Sequence, residues 1–414
     1  MMLLPYLKNT FLLFVLILSS CGKTKKAIIE SNDMALLKIE KSIDSSLIIA
    51  ANKTKSYLPI LKGKNIAVVA NQTSIIFTTE TNTHLIDSLL SLKVSIKQVF
   101  APEHGFRGEA DAGEHLKDGI DTKTGLPLVS LYGKNRKPSK EQLEGIDLVL
   151  FDIQDVGVRF YTYIATLQLV MEACAENNIP ILVLDRPNPN AHYVDGPMME
   201  AEHESFLGMT EIPLVYGMTI GEYAKMINEE GWLENAVKAN LTVIPMDNYT
   251  HETFYSLPVR PSPNLPSDLS IKLYPSLGLF EGTNVNAGRG TEFQFQRYGA
   301  PFMDSTKYNF SYTPQPNFGS KTPKQNGKLC YGLDLTKEDT NFLNSVDLKW
   351  IIDAYTNTKD KGLFFITSGF TKHAGTEKLQ KQIEAGMTAE EISASWQPDI
   401  EKFRAIRKKY LMYN

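Results

Sequence analysis

Ala101-Pro102-Glu103-His104-Gly105-Phe106-Arg107-Gly108-Glu109 sets a carboxylate, an imidazole and a guanidinium side by side, directly after the strand-like run Val94 to Phe100. A carboxyl group can give or take a proton at a reacting oxygen. A strand that ends in proline delivers such groups to the carboxyl edge of a sheet, where open α/β folds bind their ligands. No regular pattern follows until about Leu126, and the stretch adds Glu109, Asp111, Glu114 and His115. Loops longer than roughly 12–15 residues in compact domains are functional or disordered. The segment reads as a catalytic loop carrying Glu103 and His104, against the plainer alternative of a solvated turn built on proline and glycine.

Two further stretches repeat the arrangement of strand, then polar loop, and a third polar loop lies beyond them. Ile146 to Asp152 is an apolar run followed by Asp155, Gly157 and Arg159 ahead of a helix that extends to Asn178. Asp152 and Asp155 can act as a base, cap the helix or ligate a metal. A cation at Arg159 opposes the dipole of the helix it precedes, which predicts an anionic partner or ligand. Pro180 to Asp185 ends in Arg186-Pro187-Asn188-Pro189, a loop stiffened by two prolines. Glu281-Gly282-Thr283-Asn284, with Arg289 and Glu292, forms a Gly- and Asn-rich loop that looks like a second part of the site. Glu103, Asp152, Asp155, Asp185, Glu281 and Glu292 can together supply acid–base hydrolysis, with Arg and Asn orienting a polar substrate.

The elements that must hold these groups are strands buried on both faces. Asn65 to Asn71, Val94 to Phe100, Leu126 to Tyr132, Ile146 to Asp152, Pro180 to Asp185 and Leu241 to Pro245 are short apolar runs of that kind. Helices are predicted near Thr81 to Leu92, from Pro138, up to Asn178, over Thr219 to Gly231, and near 379–384, 388–396 and 398–410, with a strand over Leu363 to Thr367. The fold class is α/β: a Rossmann-like, mostly parallel sheet over 56–260 and a smaller α/β or α+β domain over 261–414. Arg260 to Ser267 holds three prolines in eight residues and reads as a stiff linker or boundary between the two.

The chain has 414 residues, is 43% hydrophobic and 22% charged, and carries a formal charge of -4, which is ordinary globular composition. Nothing in it suggests the phosphate neutralisation that nucleic-acid binding requires. Residues 1–20 read as a secretory signal, with Lys8 ahead of the apolar core Phe11 to Leu18. Leu18-Ser19-Ser20-Cys21 is similar to a bacterial lipobox, so lipidation is expected at Cys21, with 21–55 as a tether that turns helical near Met34 to Ile48. The expected location is a membrane surface facing the periplasm, most naturally the outer membrane. Cys174 and Cys330 allow one disulfide in an oxidising compartment. The seven histidines show no HExxH or HxH spacing, no GxSxG elbow is present, and no cofactor motif follows a strand, so no metal or cofactor is assigned.

Pro102 to Gly108, Phe151 to Tyr163, Asp185 to Pro189 and Glu281 to Asn286 together resemble the NamZ-type exo-β-N-acetylmuramidases, a peptidoglycan-recycling glycoside hydrolase family. The resemblance runs from about Ile60 to the C-terminus. It implies a site in a cleft between the two domains, and release of terminal N-acetylmuramic acid from the non-reducing ends of peptidoglycan fragments. Glu103 is then the principal catalytic carboxylate. His104, Asp152 and Asp155 are candidate partners, or the substrate's own 2-acetamido group serves as nucleophile. Candidate substrate contacts are Asn71, Arg107, Arg159, Tyr163, Asp185, Arg186, Asn188, Glu281, Asn284 and Arg289. Arg159, Arg186 and Arg289 are the cations for the lactyl carboxylate, since Arg pairs bidentately with carboxylates. A lipid-anchored sugar-binding protein without catalysis is the alternative, and a metal-dependent hydrolase built on His104 and the aspartates a third.

Overall fold

The structure is a computed structural model that describes residues 46–78, 82–107, 118–339 and 343–414. The expected signal, Cys21 and the tether up to residue 45 lie outside the described residues, as do Glu109, Asp111, Glu114 and His115. One compact unit extends from Leu47 to Asn414. It therefore begins ahead of residue 56, because Ile49, Ala50 and Ala51 are already buried and Ile48 bridges Asp247.

Seven strands form the main sheet: β1 Asn65–Ala70, β2 Ser95–Ala101, β3 Gly119–Ile120, β4 Pro127–Ser130, β5 Leu148–Asp152, β6 Ile181–Leu184 and β7 Leu241–Ile244. Their order is β7-β6-β5-β1-β2-β4-β3, parallel except for the β3–β4 pair at the edge. The chain moves outward from β1 in one direction and then returns to build in the other. That makes β1 the switch point, where loops on either side part and leave a crevice at the carboxyl ends.

The strand residues are apolar on both faces because both faces are covered. Ala67 and Val69 of β1 belong to one apolar core, Ile66, Val68 and Ala70 to another. Helices α1 Thr54–Leu61 and α2 Leu85–Ser91 cover the second face. Helices α3 Tyr163–Glu176 and α4 Ile220–Glu229 cover the first, the latter begun by a capping box between Thr219 and Glu222.

The C-terminal part is smaller. It contains α5 Asp268–Leu277, an antiparallel sheet of β8 Arg297–Ala300, β9 Phe310–Tyr312 and β10 Cys330–Asp334, then α6 Lys349–Thr356, α7 Thr367–Ala374, α8 Lys378–Glu384 and α9 Ala389–Arg407. Its apolar residues join the larger core, which runs from Ala67 through Phe403.

Several local expectations are corrected. The helix expected from Thr81 starts at Leu85, because Asn82–His84 pairs with Ile75–Phe77 and the His84 ring accepts the Ile86 N–H as a cap. Only a single 3-10 turn, Glu141–Leu143, follows Pro138. Leu363 to Thr367 is no strand but the approach to α7. The helices expected at 388–396 and 398–410 are one: Ile392, Trp396, Ile400 and Phe403 make a continuous buried stripe through Pro398, and that burial offsets the lost backbone hydrogen bond. Cys174 and Cys330 are both free and buried.

Candidate active site

Strand β2 delivers Glu103 to the switch-point crevice. The turn is closed by the Gly105 N–H donating to the Pro102 carbonyl at 3.0 Å, and His104 adopts a left-handed backbone at φ 68°. For a residue with a Cβ that conformation costs roughly 1–3 kcal/mol and persists only where the surroundings enforce it. The Glu103 carboxylate accepts from Thr162 Oγ1 at 2.7 Å and from the Tyr132 phenol. Burial first, then the Glu103 charge, push the Tyr132 hydroxyl well above its usual range, so it stays a donor.

Behind the carboxylate stands a relay of positioning contacts. Tyr163 Oη donates to the Glu103 carbonyl at 3.4 Å and accepts from Asn71 Nδ2 at 3.0 Å. Asn71 is itself held by the Thr73 N–H, which donates to its Oδ1 at 2.9 Å. The expected linker is part of this wall rather than a spacer: the Pro261 carbonyl accepts from Tyr161 Oη at 2.7 Å, and Ser262, Asn264 and Leu265 are buried against the crevice.

These groups face a cavity of about 370 Å³. Phe160, Tyr161, Tyr274 and Phe295 give it an aromatic side, with Phe160 edge-on to Tyr274 at 5.1 Å and 5.5 Å from the His373 ring. Glu103 and Glu281 are the carboxylates in its lining; Arg136, Arg289 and Lys372 are the cations. Arg289 Nη1 meets Glu281 at 2.9 Å. Burial would raise the Glu281 carboxyl, but Arg289, Lys324 and His373 outweigh it and hold the group down at about 2. Burial lowers the His373 imidazole. Its Nδ1 lies 2.8 Å from the Gly369 carbonyl, which can only accept, so Nδ1 carries a proton.

A pH dependence follows. Because the folded-state value of Glu281 lies below its usual one near 4.5, its stabilisation is complete above that pH and is lost as the pH falls toward 2. The loss is on the order of 3 kcal/mol. Urea unfolding at pH 7, 4 and 2.5 should show Glu281→Gln with a flatter acid limb than the parent; parallel limbs would sink the assignment.

Other expected site residues do not line this cavity, and each has a structural occupation. Arg186 makes a buried two-point pair with Asp152, Nε–Oδ1 2.6 Å and Nη2–Oδ2 2.8 Å. Asp185 accepts from Thr219 Oγ1 at 2.7 Å, the Gly221 N–H at 2.8 Å and Tyr413 Oη at 2.6 Å, and burial raises it to about 7. Asp155 takes the Tyr216 hydroxyl and the Gly157 N–H, and burial raises it to about 6. Asn188 donates to the Met218 carbonyl and fills the space beside Gly157, whose φ of 75° and 2.2 Å gap leave no room for a Cβ. Arg107 pairs with Asp121 at 2.8 Å, and Asn284 donates to the Leu363 carbonyl.

Arg159 is the clearest correction. It is 1% exposed, and no anion meets it among the described residues. Its guanidinium donates to the carbonyls of Pro197, Ile212, His373 and Ala374. Helix α3 begins only at Tyr163; what Arg159 reaches is the carbonyl end of α7, where a cation is favourable. Gly375 admits it, since a Cβ there would lie 2.6 Å from Nη2.

Residues 66–269 match the model of the exo-beta-N-acetylmuramidase NamZ N-terminal domain, and residues 272–413 that of its C-terminal domain. The chain belongs to the NamZ family. It is similar to the peptidoglycan beta-N-acetylmuramidase NamZ of Bacillus subtilis (strain 168), 40% identical over 399 residues that span 91% of this chain and 92% of that one. Two solved structures of DUF1343 family proteins from Bacteroides fragilis NCTC 9343 share the fold. One is 45% identical with a TM-score of 0.81, covering 89% of this chain and 99% of that one; the other is 26% identical with a TM-score of 0.74, covering 89% and 100%.

In this NamZ-family cavity, the sequence motifs account for Glu103, His104, Glu281 and Arg289. They miss Tyr132, Arg136, Phe206 and Lys372. Tyr132 follows β4, and its place beside β2 was the available signal; Arg136, Phe206 and Lys372 sit in stretches with no pattern of their own.

Proposed function

We propose that the chain is an exo-acting glycoside hydrolase that releases N-acetylmuramic acid from the non-reducing ends of peptidoglycan fragments, with Glu103 as its catalytic carboxylate. The observation that carries this is Glu103 itself, set at the switch point of a NamZ-family sheet and reaching a cavity at the small end of the ligand-pocket range of roughly 300–1,000 Å³. One sugar ring fits such a space against the aromatic side. Arg289 and Lys372 suit the lactyl carboxylate that distinguishes N-acetylmuramic acid from N-acetylglucosamine.

Glu281 is engaged by Arg289, while Asp152 and Asp155 are spent on Arg186 and Tyr216. That distribution favours the substrate's 2-acetamido oxygen as nucleophile. Its oxygen bonds to the anomeric carbon as the glycosidic C–O bond breaks, and protonated Glu103 gives its proton to the leaving oxygen. Water then attacks the anomeric carbon as its bond to the acetamido oxygen breaks and the acetamide re-forms, Glu103 takes a proton from the water, and the sugar leaves with retained configuration.

The test is incubation with a chromogenic β-N-acetylmuramide and, in parallel, the β-N-acetylglucosaminide. Release from the first alone is expected. Binding of a muropeptide without release from either would replace this reading with that of a binding protein. The lipobox-like Leu18 to Cys21 supports anchoring by lipid at Cys21, facing the periplasm; partition into a detergent phase that survives Cys21→Ser would remove it.

A further inference from the structure

A second depression, a groove of about 930 Å³, adjoins the cavity and shares Arg136, Ser205 and Phe206 with it. Depressions of about 670 and 510 Å³ elsewhere on the surface share no lining residue with the cavity. At the junction the Arg136 guanidinium lies 4.3 Å over the Phe206 ring, and Tyr132, the Glu103 partner, is 6.2 Å from the same ring. The N–H groups of Arg136 reach no acceptor among the described residues, so an arginine with free donors stands where the two spaces meet.

The groove floor is the outer face of α3, with Gln168, Leu169 and Glu172, closed by Trp232. Some of its charges pair internally, Lys137 meeting Glu172 at 3.3 Å and Glu234 at 3.2 Å, while Lys134, Glu204 and Glu211 also line it. An aromatic ring beside a donor-rich arginine, with carboxylates along the groove to accept from hydroxyls, suits a hydroxyl- and amide-bearing ring. Sugar faces lie on aromatic rings, and amide carbonyls accept from guanidinium.

Resting on the glycosidase reading above, we propose that this groove is the leaving-group subsite. It would hold the β-linked N-acetylhexosamine chain from which the terminal sugar is cut, with Phe206 as the platform for the first leaving ring and Arg136 as its hydrogen-bond donor. The volumes agree with that division: one ring in the cavity, a longer stretch in the groove. An exo-acting enzyme built this way reads its substrate on both sides of the scissile bond.

The experiment compares kcat/KM for the chromogenic β-N-acetylmuramide with that for a glycan of four or more alternating sugars ending in N-acetylmuramic acid. The parent enzyme should favour the glycan. Leu169→Trp, which fills the groove, and Phe206→Ala, which removes the platform, should each lower the glycan-to-chromogen ratio at least tenfold, while Phe206→Tyr keeps it within threefold. A ratio unchanged in Leu169→Trp and Phe206→Ala, with both substrates still cleaved, overturns the subsite and leaves the glycosidase reading standing. A parent enzyme that cleaves neither substrate overturns both.

Discussion

Glu103→Gln should lower kcat/KM on the chromogenic muramide by roughly a thousandfold or more, within the range that a positioned general acid contributes, while the midpoint of thermal unfolding stays close to that of the parent. The amide keeps the size of the side chain and can still meet Thr162 Oγ1 and the Tyr132 hydroxyl. It has no acidic proton to give to the leaving oxygen. A poor leaving group should suffer most, because an aryl oxide departs with less help than a sugar alkoxide. Activity within tenfold of the parent would take Glu103 out of the proton-transfer step.

The largest expected effect on stability lies under the site. Arg186→Met strands the carboxylate of Asp152, which is fully buried at the end of β5, and should cost about 3–5 kcal/mol in chemical denaturation. Asp152→Asn should cost a comparable amount by leaving the guanidinium unpaired. The double variant should lose less than the sum, since neither charge then remains alone in the interior. A single variant within about 1 kcal/mol of the parent would mean that water reaches the pair.

That pair also shows what could and could not be read beforehand. Arg186 and Asp152 sit at strand ends next to the crevice, which is why both look like ligand contacts in sequence; which of two adjacent loops a side chain enters is decided by the sheet order, and no local pattern encodes it. The strands were legible because burial on both faces leaves uninterrupted apolar runs. The starts and stops set by distant partners were not. Asn82–His84 becomes a strand only because Ile75–Phe77 lies beside it, and Pro398 stays inside a helix only because Trp396 and Ile400 are buried on either side of it. Glu103 was legible since a proline and an acid after a strand are a local signature. Arg136, Phe206 and Lys372 converge from separate loops without one. Arg159 was misread because its partners are backbone carbonyls some 38 to 215 positions away in the chain.

Arg159 has one further bearing, on inheritance. Its fork grips the Pro197 and Ile212 carbonyls, at the short antiparallel pair Asp195–Met198 and Pro213–Val215, with one nitrogen, and the close of α7 at His373 and Ala374 with the other. The placement of His373 in the cavity is thereby written partly in the first half of the gene. Neither half is a transferable module: recombination that brought in a foreign C-terminal segment would have to bring a glycine at 375 and a matching helix end with it, so the two segments should travel through lineages together.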